Sequence, residues 1–271
     1  MRALMQPFLQ SLMLVLILLG PFDAPQEVSA TRALETAVKF WENLGAKIER
    51  DRPDIRRFRA GLLDIWVVSF LGGKSVHISV LSGTVTAAYD RALEERTVST
   101  HSGWISAKVT VENGRLHLST LARRLGLPSG SPMASYTYRP IKKADGFWQD
   151  ERQGYAAARF QGLVNGYPPL DAFYGMTVSA DIFEGKLMSF SQNWTYPPVQ
   201  KTRVLISERQ AKSLLLGKKL AELGPKAKAT LGWLKTSDGK SARLAWRVDF
   251  PAEHKDFDSF VDAETGALFS R

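Results

Sequence analysis

The sequence predicts an α+β fold of tandem helix-on-antiparallel-sheet modules, and three observations predict it. Runs of residues alternate in polarity. In Leu244 to Phe250, for example, Leu244, Trp246, Val248 and Phe250 fall on one face and Ala245, Arg247 and Asp249 on the other, which is the period of a half-buried strand. Such runs recur with similar turns. Trp66, Val68 and Phe70 repeat the spacing of Trp246, Val248 and Phe250, Ile78 and Gly83 match Val261 and Gly266, and Asp181 precedes Gly185 as Asp262 precedes Gly266. Divergent internal repeats account for that. Finally, each strand set follows a stretch with apolar residues three or four apart, the mark of an amphipathic helix. A helix laid on an antiparallel sheet buries the apolar side of both.

In chain order, Ala33 to Leu44 reads as the first helix, with Leu34, Val38, Trp41 and Leu44 on one face, Thr31 as cap and Gly45 as terminator. A charged segment, Lys47 to Arg59, leads to strands at Leu62 to Phe70, Val76 to Leu81 and Thr84 to Tyr89. Residues 90 to 108 read as a polar connection. Thr110 to Gly126 carries a second helical pattern despite Gly114, and Pro128 to Pro132 is a loop. Strands are expected at Tyr155 to Leu163, Tyr174 to Phe183 and Lys186 to Trp194. Asn165-Gly166 is the preferred pair for a tight two-residue turn, and Pro197-Pro198 makes a stiff linker. Ser207 and Gln210 form a capping box, with Ile206 ahead of it, and open a third helix running to Gly224. Strands follow at Ala229 to Lys235, Ala242 to Phe250, Asp256 to Val261 and Ala267 to Ser270.

Residues 1 to 30 stand apart. Arg2 precedes an apolar run from Leu12 to Leu19, Gly20-Pro21 breaks it, and Val28-Ser29-Ala30 offers the small residues that a signal peptidase accepts. The expectation is a cleaved signal and a secreted or extracytoplasmic protein. The second reading is an uncleaved N-terminal membrane anchor. The 271 residues contain no cysteine, which excludes disulfides, a thiolate metal site and a cysteine nucleophile. With 36 basic and 27 acidic residues the net charge is +9, and the excess favours anionic partners such as wall polymers or a membrane surface.

The opening Ile206-Ser207-Glu208-Arg209-Gln210-Ala211, the strand Ala245-Trp246-Arg247-Val248 and the run Val261 to Leu268 resemble a PepSY domain. Phe160 to Pro168, running on to Asp181 and Trp194, is similar to the repeated domain of the YcdB/YcdC group of bacterial exported proteins, relatives of protease propeptides. The resemblance implies cystatin-like helix-on-sheet modules: a first PepSY-like repeat at 31–92, a middle YcdB-like repeat at 105–200 and a C-terminal PepSY-like repeat at 204–271. In the first, Ser79 stands where the others have the turn Asp. The family implies modules that bind or restrain a peptidase or other envelope partner without chemistry of their own.

The residues offer no catalytic, cofactor-binding or metal set. His77, His101, His117 and His254 lack a ligand spacing. Gly-x-Ser-x-Gly does not occur, and Ser129-Gly130-Ser131 reads as a loop. Gly72-Gly73-Lys74-Ser75 evokes a phosphate loop but joins two strands. Asp181, Asp262 and Glu264 read as turn residues bonded to backbone amides. Trp66 and Trp246 read as core, whereas Trp148 and Trp194, beside Tyr155 and Tyr196, are candidates for an exposed aromatic groove. Nucleic acid binding would want basic and aromatic residues interleaved on one surface, and the expected export makes nucleic acid an improbable partner. The sequence therefore predicts a secreted non-enzymatic protein that binds a peptidase, another envelope protein or a peptide, through an exposed sheet edge. The alternative is a basic cell-wall or anionic-polymer binder.

Overall fold

The computed structural model describes residues 27–49, 52–61, 63–99, 108–139, 143–144, 147–148, 154–217, 224–249 and 259–270. Among these the chain is mostly β. Its helices are α1 (Ala30–Asn43), α2 (Arg91–Ser99), α3 (Val111–Arg124) and α4 (Glu208–Leu216). The largest sheet is antiparallel, and one half of it runs from β1 (Asp54–Ala60) through β2 (Leu63–Ser69) and β3 (Lys74–Ser79) to β4 (Val85–Asp90). The other half follows in the order β10 (Leu187–Asn193), β9 (Gly175–Asp181), β8 (Tyr155–Gln161) and β5 (Met133–Arg139). A second antiparallel sheet orders β11 (Lys228–Lys235), β12 (Ala242–Asp249), β13 (Ser259–Asp262) and β14 (Leu268–Ser270); β6 (Lys143–Ala144) and β7 (Phe147–Trp148) form a small ribbon.

This corrects the predicted fold class. Sheets of eight and four strands with four short helices are not a row of helix-on-sheet modules. The reason is the seam between β4 and β10, where Ala87, Ala88 and Tyr89 pair with Ser191, Phe190 and Ser189. A strand with one side unpaired presents a row of free N–H and C=O groups. Here two such strands satisfy each other, and their sheets become one. Each seam strand also carries a register shift against its inner neighbour, between His77 and Ile78 on β3 and between Leu187 and Ser189 on β10.

Locally the sequence signals act as expected. Gly83, Gly185 and Gly266 take φ of 70°, 70° and 76°, values reached without a Cβ clash only by glycine. Each donates its N–H back to the residue four before it, Ser79, Asp181 or Asp262. Asp181 and Asp262 are buried: backbone N–H groups of Phe183 and Glu184 reach both Asp181 oxygens, whereas those of Glu264 and Thr265 both reach one Asp262 oxygen and the other faces Arg243. Ser79 accepts from the Ser82 N–H with its hydroxyl.

One residue beyond each turn's first residue, a backbone carbonyl receives the chain segment that starts a helix. Val28 N–H donates to Val80 O, Val109 to Ile182 and Ile206 to Ala263, at 2.8, 3.0 and 2.9 Å. The next residue in each case, Ser29, Thr110 or Ser207, is the helix N-cap. The cap of α1 is thus Ser29 rather than Thr31. The indoles of Trp66 and Trp246 donate to the carbonyls of Val28 and Ile206, both at 2.7 Å. Ala156 holds the corresponding register position on β8, and Tyr138 faces it from β5.

The helices pack on the sheets through small and aromatic residues. Ala33, Ala37 and Trp41 of α1 lie buried over β2 and β3, and Leu118, Leu121 and Ala122 of α3 over the second half of the same sheet. Gly114 of α3 is required by packing, since a Cβ there would run into the Tyr136 hydroxyl. The stretch expected to be a polar connection contains α2, capped by Asp90, whose carboxylate accepts from Leu93 N–H and pairs with Lys74 at 2.9 Å. Among the described residues no helix is long and apolar enough to cross a membrane.

The predicted signal lies outside the described residues up to position 26, but its last residues are built into the fold. Val28 is buried, Ser29 caps α1, and Glu27 pairs with Arg57. Removing 27–30 takes away a helix cap and leaves the Trp66 N–H without its acceptor. A chain starting at residue 31 is expected to be about 2–4 kcal/mol less stable than one starting at residue 27. Paired urea titrations measure the difference, and equal midpoints would show that these contacts contribute nothing.

Candidate functional site: an open strand edge

Four strands end the two sheets, and they are treated differently. β1 pairs with β2 over its whole length, from Asp54 opposite Ser69 to Ala60 opposite Leu63. The hairpin closes tightly after Ala60, where Gly61 takes φ of 56°. Ala60 and Leu63 are therefore the bonded pair that closes the hairpin, and bonding alternates from there along an antiparallel ladder. By that alternation Ile55, Arg57 and Arg59 point their N–H and C=O groups away from β2. Among the described residues no backbone hydrogen bond reaches those groups. The edge is open, polar on one flank and apolar at one point of the other, with Phe58 51% exposed.

The side chains of β1 fall on two faces. Arg57 and Arg59 share the helix side with Asp64 and Glu27. Arg57 donates to both Glu27 oxygens at 2.9 and 3.0 Å and to both Asp64 oxygens at 2.9 and 2.7 Å, while Arg59 reaches Asp64 at 2.7 Å. The Arg57 hydrogen bonds, aided by Arg59, hold the Asp64 carboxyl well below its usual range, and Arg57 lowers Glu27 likewise. Both acids are ionised at neutral pH and keep the guanidinium of Arg57 charged. Arg56 and Phe58 project to the open side, where Arg56 pairs with Asp54 and with no other acid among the described residues. Beyond them that face of the sheet mixes the apolar and ring side chains of Ile65, Val67, His77 and Tyr89 with the hydroxyls of Ser75, Ser189 and Ser191.

The outer edge of β11, by contrast, is occupied by the chain itself. The segment Pro168-Pro169-Leu170 runs alongside it in parallel, with Trp233 N–H donating to Pro168 O at 2.9 Å and Leu170 N–H to Trp233 O at 2.8 Å. Leu170 is buried against Leu234, Ala245 and Phe260. Gly232 makes the approach feasible, since a Cβ there would meet the Pro168 carbonyl and stand 2.6 Å from Leu170 Cδ2. Around this contact Tyr196 O–H lies 3.0 Å from Asp171 and 2.9 Å from Trp233 O, the second Asp171 oxygen accepts from Lys235 N–H, and Trp233 Nε1 donates to Val164 O. Burial and the Asp171 charge push the Tyr196 hydroxyl well above its ordinary value. The Asn165-Gly166 turn forms as expected, with φ of 46° and 84°, but it closes a miniature hairpin between Val164 and Tyr167 that positions this segment.

The other residues singled out in the sequence do not converge on a site. Trp194 is half-buried, donates to Gln192 and packs edge-on to Tyr174 at 5.2 Å, and Tyr196 belongs to the junction with Trp233. Tyr155 sits under Arg139 on β8, and the side chain of Trp148 lies outside the described residues. No shared aromatic groove forms from them. Trp66 and Trp246 are half-buried and serve as struts rather than as fully enclosed core. Gly72 and Gly73 turn the chain between β2 and β3, and Lys74 is engaged by Asp90. A cavity of about 420 Å³ opens there beside Ser69, Tyr89, Arg91 and Glu94, with no helix running on from the glycines. His117 bonds the Gly185 carbonyl, while His101 and His254 lie outside the described residues. Among the described residues no three His, Asp or Glu side chains gather where a metal ion could be held. Neither open strand, β1 or β5, is predicted from the sequence, in which β1 falls at the end of the charged segment Lys47 to Arg59.

No protein-family model matches the chain, and no curated protein matches it.

Two outcomes follow from this geometry. Gly232→Ala should displace the docked segment and cost about 1–3 kcal/mol, with a shift of Trp233 fluorescence toward exposed indole; an unchanged spectrum and stability would refute the close approach. His77, half-buried beside Tyr89 on the open face, has its pKa lowered from 6.5 by burial. Below about pH 6.5 the unfolded chain then binds a proton that the folded one resists, so stability falls as pH drops. His77→Gln should flatten that fall between pH 7.5 and 5.5 in urea titrations, and parallel curves would exclude His77 as its source.

Proposed function

We propose that this chain is a non-enzymatic binding protein of the bacterial envelope that holds a peptidase or another envelope protein by adding a strand of that partner to β1. The open backbone edge from Ile55 to Arg59 carries the reading, because main-chain hydrogen bonds along a free edge supply affinity without a preformed pocket. The PepSY-like and YcdB-like stretches support it, since proteins of that type are exported and act on partners rather than on bonds. The excess of basic residues, with Arg56 and Arg59 well exposed on β1, supports a second reading in which the edge region attracts an anionic wall polymer.

Proline substitutions separate the readings. Arg59→Pro removes an N–H that points away from β2, so stability should stay within about 1 kcal/mol of an Arg59→Ala control, whereas Arg56→Pro breaks the ladder and should cost about 2–3 kcal/mol. In capture from an envelope extract, Arg59→Pro should lose a discrete protein that the wild type and Arg59→Ala retain at high salt. Retention of many acidic species, lost at high salt and indifferent to the proline, would favour the polymer reading.

A further inference from the structure

The edge of β11 shows how an extended segment lies on a strand of this kind, and the strand registers carry that geometry to β1. Trp246 on β12 faces Leu231 on β11 and Val261 on β13, the residue before the buried turn Asp262. Trp66 on β2 faces Arg57 on β1 and Ile78 on β3, the residue before the turn Ser79. Both indoles donate to the carbonyl ahead of a helix cap. Leu231 and Arg57 therefore hold the same position, and two residues on, Trp233 facing Leu244 matches Arg59 facing Asp64. Trp233 is the residue whose N–H and C=O clasp Pro168 and Leu170.

From this correspondence, and resting on the strand-addition reading, we infer that β1 takes its partner strand parallel to itself, centred on Arg59, and selects an acidic-x-apolar-x sequence. The central residue of the added strand lies opposite Arg59 as Pro169 lies opposite Trp233. It needs neither its own N–H nor its own C=O for the contact, since Arg59 would bond the residues on either side. Those side chains fall on the opposite face to Arg59. The residue before the centre lies beside Phe58, and the one two earlier beside Arg56.

These two neighbours set the preference. Phe58 replaces Gly232, so the partner strand cannot fold over the edge as Leu170 does; it lies in the sheet plane with an apolar side chain against the exposed ring. Arg56 is 78% exposed in its side chain and has Asp54 as its sole ion-pair partner among the described residues, so a carboxylate at the earlier position meets a charge still open to solvent. Arg57 and Arg59, by contrast, are already balanced by Glu27 and Asp64 and add no further demand for acid.

The probe is a synthetic peptide, acetyl-Thr-Glu-Thr-Leu-Thr-Val-Thr-amide, carrying a nitroxide at one end or the other, titrated into the isotope-labelled protein. The expected result is movement of the Arg57 and Arg59 amide signals, with an N-terminal nitroxide broadening amides near Asp54 and a C-terminal one those near Ala60. Exchanging Glu and Leu in the peptide, or Arg56→Glu in the protein, should weaken binding about two- to fivefold. Reversed broadening means an antiparallel strand and overturns the inference, as does a saturating peptide that leaves Arg57 and Arg59 unmoved. If Arg59→Pro nonetheless abolishes capture of the envelope partner, strand addition stands and only the orientation and motif fall; if the proline is also without effect, both fall.

Discussion

A strand can be left with an unpaired side only at a cost, and the architecture is organised by how each edge meets that cost. β4 and β10 meet it by pairing with each other, which fuses what would have been separate sheets. β11 meets it with the segment Pro168 to Leu170, whose prolines carry no N–H outward and so stop any further strand from adding. β14 is only a few residues long. β1 and β5 stay open among the described residues, and β1 differs in pairing with its neighbour over its full length without a register shift, with outward backbone groups that no described residue satisfies. Its arginines are the common device for discouraging indiscriminate pairing, and they make it a selective edge rather than a sticky one.

Inside the sheets, the same logic of satisfied backbone explains the buried acids. Asp181 and Asp262 lie almost entirely out of solvent, where an unpartnered carboxylate would be ruinous. Each is met by backbone N–H groups of its own turn, and Asp262 also by Arg243 at 3.2 Å. The turns then present a carbonyl one residue on that anchors the start of a helix. Helix position is in this way tied to sheet register by hydrogen bonds rather than by apolar contact alone.

Much of this was legible in the sequence where one face of an element is buried. The alternation of Leu244, Trp246 and Val248, the capping box of Ser207 and Gln210, and the Gly-terminated turns all lie where burial imposes a period. β1 and β5 were illegible for the opposite reason. Apart from Ile55, Asp54 to Ala60 is exposed on both flanks, so no alternation records which way its side chains point. The fusion of sheets was hidden as well, because Ala87, Ala88 and Tyr89 look the same whether their outer side faces water or Ser191, Phe190 and Ser189. The Asn165-Gly166 turn forms where the sequence predicts one, but it joins no long strands. What it shapes, the lodging of Leu170 over Gly232, depends on a contact 62 residues away in sequence.

The clasp on Trp233 also sets a scale for anything that would use β1. Pro168 to Leu170 is tethered to the sheet it binds, so two backbone bonds and one buried leucine suffice at an effective concentration in the millimolar range that the chain itself maintains. A free peptide gaining the same two bonds has no such help. A partner that engages β1 must therefore extend the match along Ile55 and Arg57, or arrive already held beside the edge by a second contact. Short unattached peptides should bind briefly, and durable association belongs to a strand presented by a larger body.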